Sequence, residues 1–190
     1  MITNKLKIIW NKDNYALNGW ISINNPFSAE IMSRQNYDTL TIDMQHGLID
    51  YSDLIGILQA ITGSGVMPIV RVPWLDPAYI MKSLDAGAEG IICPMINNKQ
   101  EAEQFVSFMK YPPLGNRSFG PTRQNIVNGT DYFKNANNNV LCIAMIETDE
   151  AMKNLNEIIS TDGLDAVYIG PADLTLGTTQ GRLSPGMYRE

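Results

Sequence analysis

The 190-residue sequence is short of what a membrane protein, a disulfide-stapled protein or a nucleic-acid binder needs. It holds two cysteines, Cys93 and Cys142, each inside an apolar run and without the paired spacing of a zinc site or a disulfide framework. Both thiols are expected to be buried and reduced. No apolar run reaches the roughly 18 residues that span a bilayer. Only residues 8–10 follow the basic N-terminal segment before the chain turns polar, too few for a signal-peptide core. Positive charge is scarce too, with 14 Lys and Arg against 20 Asp and Glu, so no footprint for a phosphate backbone exists. The expected setting is the cytoplasm, and the expected partner is a small molecule, with no nucleic acid and no membrane. Histidine occurs once, as His46, so any chemistry that needs an imidazole must use that residue or borrow one from another subunit.

Hydrophobic residues are 44% and charged residues 18% of the chain, the balance of a globular protein with a real core. Short apolar runs at 17–23, 39–44, 67–72, 90–95, 140–146 and 166–169 read as strands. Most are continuous rather than alternating, as in parallel strands covered on both faces. Between them, 53–62, 77–86, 99–110 and 149–160 carry apolar residues at helical spacing. Asp76-Pro77 supplies a cap and a first-turn proline, and Gly87 supplies a stop. The Asn-rich stretch 135–139 reads as a surface loop, and a short further strand is weighed at 117–120. This alternation predicts an α/β fold with a parallel sheet in a single domain, 1–190. No Gly-x-Gly-x-x-Gly turn follows the first strand, which removes the main support for a dinucleotide-binding sheet. A (β/α)8 barrel normally needs about 250 residues, so a barrel of this length is expected to be cut short, with its last strand and helices missing.

In parallel α/β proteins chemistry gathers at the carboxyl ends of the strands. There the sequence places Asp43-Met44-Gln45-His46-Gly47, then Arg71-Val72-Pro73, then Glu147-Thr148, and finally Gly170-Pro171-Ala172-Asp173. Glu147 and Asp173 lie one strand–helix–strand unit apart, which sets two hard carboxylates on neighbouring strand ends, a donor set suited to Mg2+ or Mn2+. Each could equally be a helix-start acid. Arg71 could neutralise an oxyanion on a bound substrate or merely pair with an acid. His46 is a base or a structural histidine. Gly170 and Ala172 let backbone N–H groups approach a carboxylate closely, or form an ordinary tight turn.

Four stretches carry a family pattern: LTIDMQHGLIDY, PIVRVPWLDPAYIMKSLDAGAEGIICPMINN, KYPPLGNRSFGPTR and MIETDEAMKNLNEI with LDAVYIGPADLTLG. Together they resemble the metal-dependent class II pyruvate aldolases of the 4-hydroxy-2-oxoheptanedioate aldolase and citrate lyase family, whose fold is a TIM (β/α)8 barrel. The resemblance implies that Glu147 and Asp173 hold a divalent cation, Mg2+ or Mn2+. It implies that Arg71 stabilises a pyruvate enolate and that His46 is the general base, through a metal-bound water. Asp85 would orient that histidine, reaching it from a neighbouring subunit, and the backbone at Gly170 and Ala172, beside Asp173, would hold the substrate carboxylate. A homo-oligomer, a hexamer in the family, follows. The implied reaction splits a 4-hydroxy-2-oxo acid reversibly into pyruvate and an aldehyde. The alternatives are a malyl- or citryl-CoA-type lyase and a non-catalytic protein that binds metal and oxo acid. Gln45 and Met145 depart from the family's acid and glutamine at those places, and both departures bear on the substrate.

Overall fold

The computed structural model describes residues 4–178. Its elements run α1 (Lys5–Trp10), β1 (Asn18–Ile21), α2 (Pro26–Ser33), β2 (Thr39–Asp43), α3 (Tyr51–Ile61), β3 (Met67–Arg71), α4 (Pro77–Ala86), β4 (Gly90–Cys93) and α5 (Lys99–Met109). They continue with α6 (Thr122–Val127), α7 (Tyr132–Asn139), β5 (Leu141–Ile146), α8 (Asp149–Lys153), α9 (Leu155–Ile159), β6 (Ala166–Ile169) and α10 (Pro171–Thr178). All six strands are parallel and lie side by side in sequence order, β1-β2-β3-β4-β5-β6. A doubly wound sheet must reverse its strand order at a switch point. This sheet never does, so each new βα unit extends the same curved wall. Among the described residues β1 and β6 each pair with one strand only.

The helices cover the outer face. Leu40, Ile42, Val70, Ile91, Cys142 and Ala144 point outward into a core shared with Leu54, Ile57, Leu58, Ile80, Leu84 and Phe105. The alternate residues point inward, where Met67, Ile69, Ile92, Leu141, Ile143 and Met145 cluster, flanked by Trp20 and Tyr168. Leu6 of α1 joins this inner cluster. Its helix is capped by Asn4, whose side chain also donates to Asn139 O at 2.7 Å, and Lys7 pairs with Asp165 at 2.7 Å. Cys93 and Cys142 are both buried free thiols. Burial pushes the Cys142 thiol up to about 12 and raises Cys93 further, so neither ionises near neutrality.

The sequence reading needs four corrections. The Asn-rich stretch is not a loop: it forms the second half of α7, because Ala136 is buried and the Asn137 side chain bonds both backbone groups of Tyr111. The segment 149–160 is two short helices broken at Asn154, whose side chain donates to Asn97 O at 2.9 Å. No strand forms at 117–120, where Arg117 is drawn into the interior instead. The first strand is shorter than 17–23, ending at Ile21, with only a single bridge from Ile23 to Leu48 beyond it. No helix among the described residues is long and apolar enough to cross a membrane.

Candidate active site

The inward phase of the strands explains how the polar residues meet. A strand alternates its faces with period two, so Met67 and Ile69 put Arg71 on the inner face at the end of β3. By the same phase Leu141, Ile143 and Met145 put Glu147 just past the end of β5, and Thr39 and Thr41 put Asp43 at the end of β2. Asp43 is level with Arg71 in the parallel register.

Asp43 and Arg71 form a two-pronged pair. Arg71 Nε donates to Asp43 Oδ1 at 2.9 Å and Nη2 donates to Oδ2. Trp20 Nε1 adds a bond to Oδ2 at 3.1 Å, and the N–H groups of Gln45 and His46 reach Oδ1 at 3.0 and 3.2 Å. Burial alone would raise the Asp43 carboxyl. The bonds from Arg71, Trp20 and His46, with the Arg71 charge, outweigh it and hold the group at about 2. The Arg71 guanidinium also lies 5.0 Å from the centre of the Trp20 ring. With two of its three nitrogens spent on Asp43, Arg71 keeps Nη1 free of partners among the described residues. Gly47 permits the turn that brings His46 back over Asp43, since a Cβ there would sit 2.2 Å from Asp43 O. His46 itself is exposed.

Glu147 is buried, at 1% exposure. Its Oε1 accepts the Met95 N–H at 2.8 Å, while Oε2 accepts no hydrogen bond among the described residues. Burial raises its pKa first. Met95 opposes that, the Asp173 charge raises it again, and the Arg71 and His46 charges lower it. The charges of Asp173, Arg71 and His46 thus act on Glu147 across the strand ends. Gly170 makes this possible, because a Cβ there would lie 2.8 Å from both Cβ and Oε2 of Glu147. Asp173 stands in the first turn of α10, exposed. The Gly170 N–H is already donated to Ile146 O at 3.0 Å, and Pro171 has none. The donors left at this helix start are therefore the N–H groups of Ala172 and Asp173. A carboxylate this buried, with one oxygen tied, one open and a second acid beside it, is a fit for a divalent cation. No group of three or more His, Cys, Asp or Glu gathers among the described residues, so two carboxylates would be the protein's share of such a site.

Asp85 lies elsewhere. It sits on α4 and accepts from Arg117 Nη2 at 2.7 Å, with no bond to His46 among the described residues. Arg117 is fully buried, donates from Nη1 to the Tyr132 hydroxyl at 3.0 Å, and covers the Tyr111 ring at 4.4 Å. Burial raises Asp85 and the Arg117 bond only partly offsets it. The carboxylate borders a groove of about 670 Å3 that also takes in Tyr51, Lys82, Gly120 and Arg123.

The family model of the HpcH/HpaI aldolase/citrate lyase matches residues 17–186. The chain belongs to the HpcH/HpaI aldolase/citrate lyase family. It is 46% identical over 91% of its length to the hydroxypyruvate/pyruvate aldolase of Rhizorhabdus wittichii, covering 69% of that protein. To the 2-dehydro-3,6-dideoxy-6-sulfogluconate aldolase of Pseudomonas putida it is 39% identical over 84% of its length, covering 63% of that protein. Among solved structures, an HpcH/HpaI aldolase/citrate lyase family protein from Burkholderia cenocepacia superposes with a TM-score of 0.84 at 30% identity, over 93% of this chain and 72% of that one. The chain thus spans about two thirds of the length of its relatives. Within this family it is an enzyme of the aldolase type, a lyase.

Sequence reasoning passes over three parts of the site. Asp43 stood in a quoted motif without a role, although Thr39, Thr41 and Asp43 form a period-two polar stripe in an apolar strand. Trp20 and the Met95 N–H went unnoticed, and only the three-dimensional register reveals them.

Proposed function

We propose that the protein is a metal-dependent pyruvate aldolase, reversibly cleaving a 4-hydroxy-2-oxo acid such as 4-hydroxy-2-oxoheptanedioate into pyruvate and an aldehyde. The observation that carries this reading is the buried Glu147, with one oxygen open and within the electrostatic reach of Asp173, Arg71 and His46. The hydroxypyruvate/pyruvate aldolase relative supports pyruvate, or its hydroxy derivative, as the three-carbon half. Glu147 and Asp173 would hold Mg2+ or Mn2+, which supplies a Lewis acid for the 2-oxo and carboxylate oxygens of the substrate. The N–H groups of Ala172 and Asp173 bind the substrate carboxylate. Arg71 is held rigid by Asp43 and turns Nη1 toward the C2 oxygen, where negative charge grows as the bond breaks. His46 takes the proton of the C4 hydroxyl. The C3–C4 bond then breaks to release the aldehyde, its electron pair passes into the pyruvate enolate, and C3 is finally protonated.

Within its own chain Asp85 bonds Arg117 and not His46 among the described residues. We read its service to a histidine as given across an interface to a second copy, in a cytoplasmic homo-oligomer. The unbroken strand order supports reading the six strands as an arc of a (β/α)8 barrel. The test is metal binding. Glu147→Gln and Asp173→Asn should each abolish Mn2+ binding and Mn2+-dependent exchange of the pyruvate methyl protons with solvent. Mn2+ affinity unchanged in both variants would refute the site.

A further inference from the structure

We propose that Asn97 is a positioning residue for Glu147, acting through the backbone of Met95 to tie one carboxylate oxygen and leave the other open to a divalent cation. The inference rests on the reading of Glu147 as a metal ligand. Its basis is a backbone outlier. Met95 has φ +57°, one of two positive values among the described non-glycine residues. A left-handed backbone is costly for a residue with a side chain and persists only where its surroundings impose it. Met95 sits in the loop between β4 and α5, on the strand end beside Glu147, and its N–H is the single donor that fixes Oε1.

Asn97 imposes that conformation from four directions. Its Nδ2 donates to Met95 O at 2.9 Å, bracing the left-handed residue directly. Its Oδ1 accepts from the hydroxyl of Thr148, the residue that follows Glu147. Its own N–H donates to Glu101 Oε2 at 2.7 Å, and its carbonyl accepts from Asn154 Nδ2 at 2.9 Å. One side chain thus links the strained loop after β4 to the strand end that carries the carboxylate. The backbone contacts anchor the same loop to α5 and to the break between α8 and α9. Opposite the Met95 N–H, the missing side chain of Gly170 leaves Oε2 its room. Without the brace Met95 can relax to a negative φ, its N–H swings away, and Glu147 loses the orientation that presents one oxygen outward.

The experiment is Mn2+ affinity of the metal-free protein, read by the electron paramagnetic resonance of free Mn2+, with thermal unfolding of the same samples. Asn97→Ala should weaken Mn2+ binding about 10–100-fold, the usual effect of removing a group that orients a ligand. Adding Met95→Gly to Asn97→Ala should recover most of that loss, because glycine takes the left-handed backbone without a brace. A purely structural role would lower the unfolding temperature but would not be rescued in affinity by glycine at 95. Should Asn97→Ala fail to fold, Thr148→Val removes the hydroxyl that holds Asn97 Oδ1 and should weaken binding about tenfold. Glu147→Gln, run alongside, should abolish binding. If Glu147→Gln abolishes binding while Asn97→Ala and Thr148→Val bind normally, or if glycine at 95 rescues nothing, the proposal is overturned and the ligand reading stands. If Glu147→Gln binds normally, the ligand reading falls and the proposal falls with it.

Discussion

Among the described residues two arginine–aspartate pairs each hold one buried partner, and they are built in opposite ways. Arg71 grips Asp43 with two nitrogens, and three further donors complete the shell of the carboxylate, which stays ionised down to about pH 2. Arg117 touches Asp85 with one nitrogen, and burial still raises the acid. In the first pair the aspartate is the more enclosed partner, in the second the arginine is. A saturated carboxylate is scaffolding that aims its arginine. A carboxylate satisfied at one corner and open to a groove keeps its proton affinity adjustable, as the proposed service to a base requires.

Removing the saturated acid should break most. Asp43→Ala leaves a guanidinium unpaired at 11% side-chain exposure, and removing one partner of such a pair costs about 3–5 kcal/mol. Urea unfolding should show that loss, and pyruvate-forming activity should vanish because Nη1 is no longer aimed. The pH dependence has a definite sign. The Asp43 carboxyl is depressed from an ordinary value near 3.9 to about 2, so its contribution is complete above about pH 4 and is lost as pH falls toward 2. That contribution is roughly 2 kcal/mol, and Asp43→Ala should lack this acid slope. A variant as stable as the wild type at pH 5 would show the pair to be dispensable.

The open acid should behave the other way. Asp85→Asn should lower stability at neutral pH by about 1–3 kcal/mol, less than Asp43→Ala, since the amide oxygen still accepts from Arg117 while the buried guanidinium loses its counter-charge. A carboxyl whose folded pKa is raised weakens the fold as pH climbs through it, and that part of the pH dependence should be absent from the amide variant. Aldol cleavage should nonetheless drop by about a hundredfold, as for loss of help to a general base, while oxaloacetate decarboxylation, which needs no proton from a C4 hydroxyl, should persist. Equal loss of both reactions would show that Asp85 supports the fold instead. The smallest effect is expected from Trp20→Phe, which deletes one donor to Asp43 and keeps an aromatic face under Arg71. Stability should fall by about 1 kcal/mol with cleavage reduced severalfold, and no change in either would remove Trp20 from the shell.

Much of this was legible in the chain itself. Continuous apolar runs located all six strands to within two residues, and Asp76-Pro77 with Gly87 bounded α4 as expected. Arg71 and Glu147 could be found because a charge at the end of an apolar strand is conspicuous. The Asn run in α7 was not legible as helix, because its intrinsic propensity is poor and its helicity depends on Tyr111 and Ala136. Asn154 breaks the segment after β5 by bonding a residue 57 positions away. The Met95 N–H escaped for a similar reason, since 52 positions separate it from Glu147. What local pattern encodes could be read, and what distant partners impose could not.

The unbroken strand order carries one more consequence. Each βα unit delivers one loop to the same rim, and the loops are fastened to the wall by their own strand and helix. The rim therefore behaves as a set of exchangeable parts: one loop can be rewritten without disturbing the chemistry supplied by the others. A lineage built this way can keep one bond-breaking step and change only what is recognised beside it. Relatives named for hydroxypyruvate and for a sulfonated sugar acid, both called aldolases, are what such a rim would leave behind.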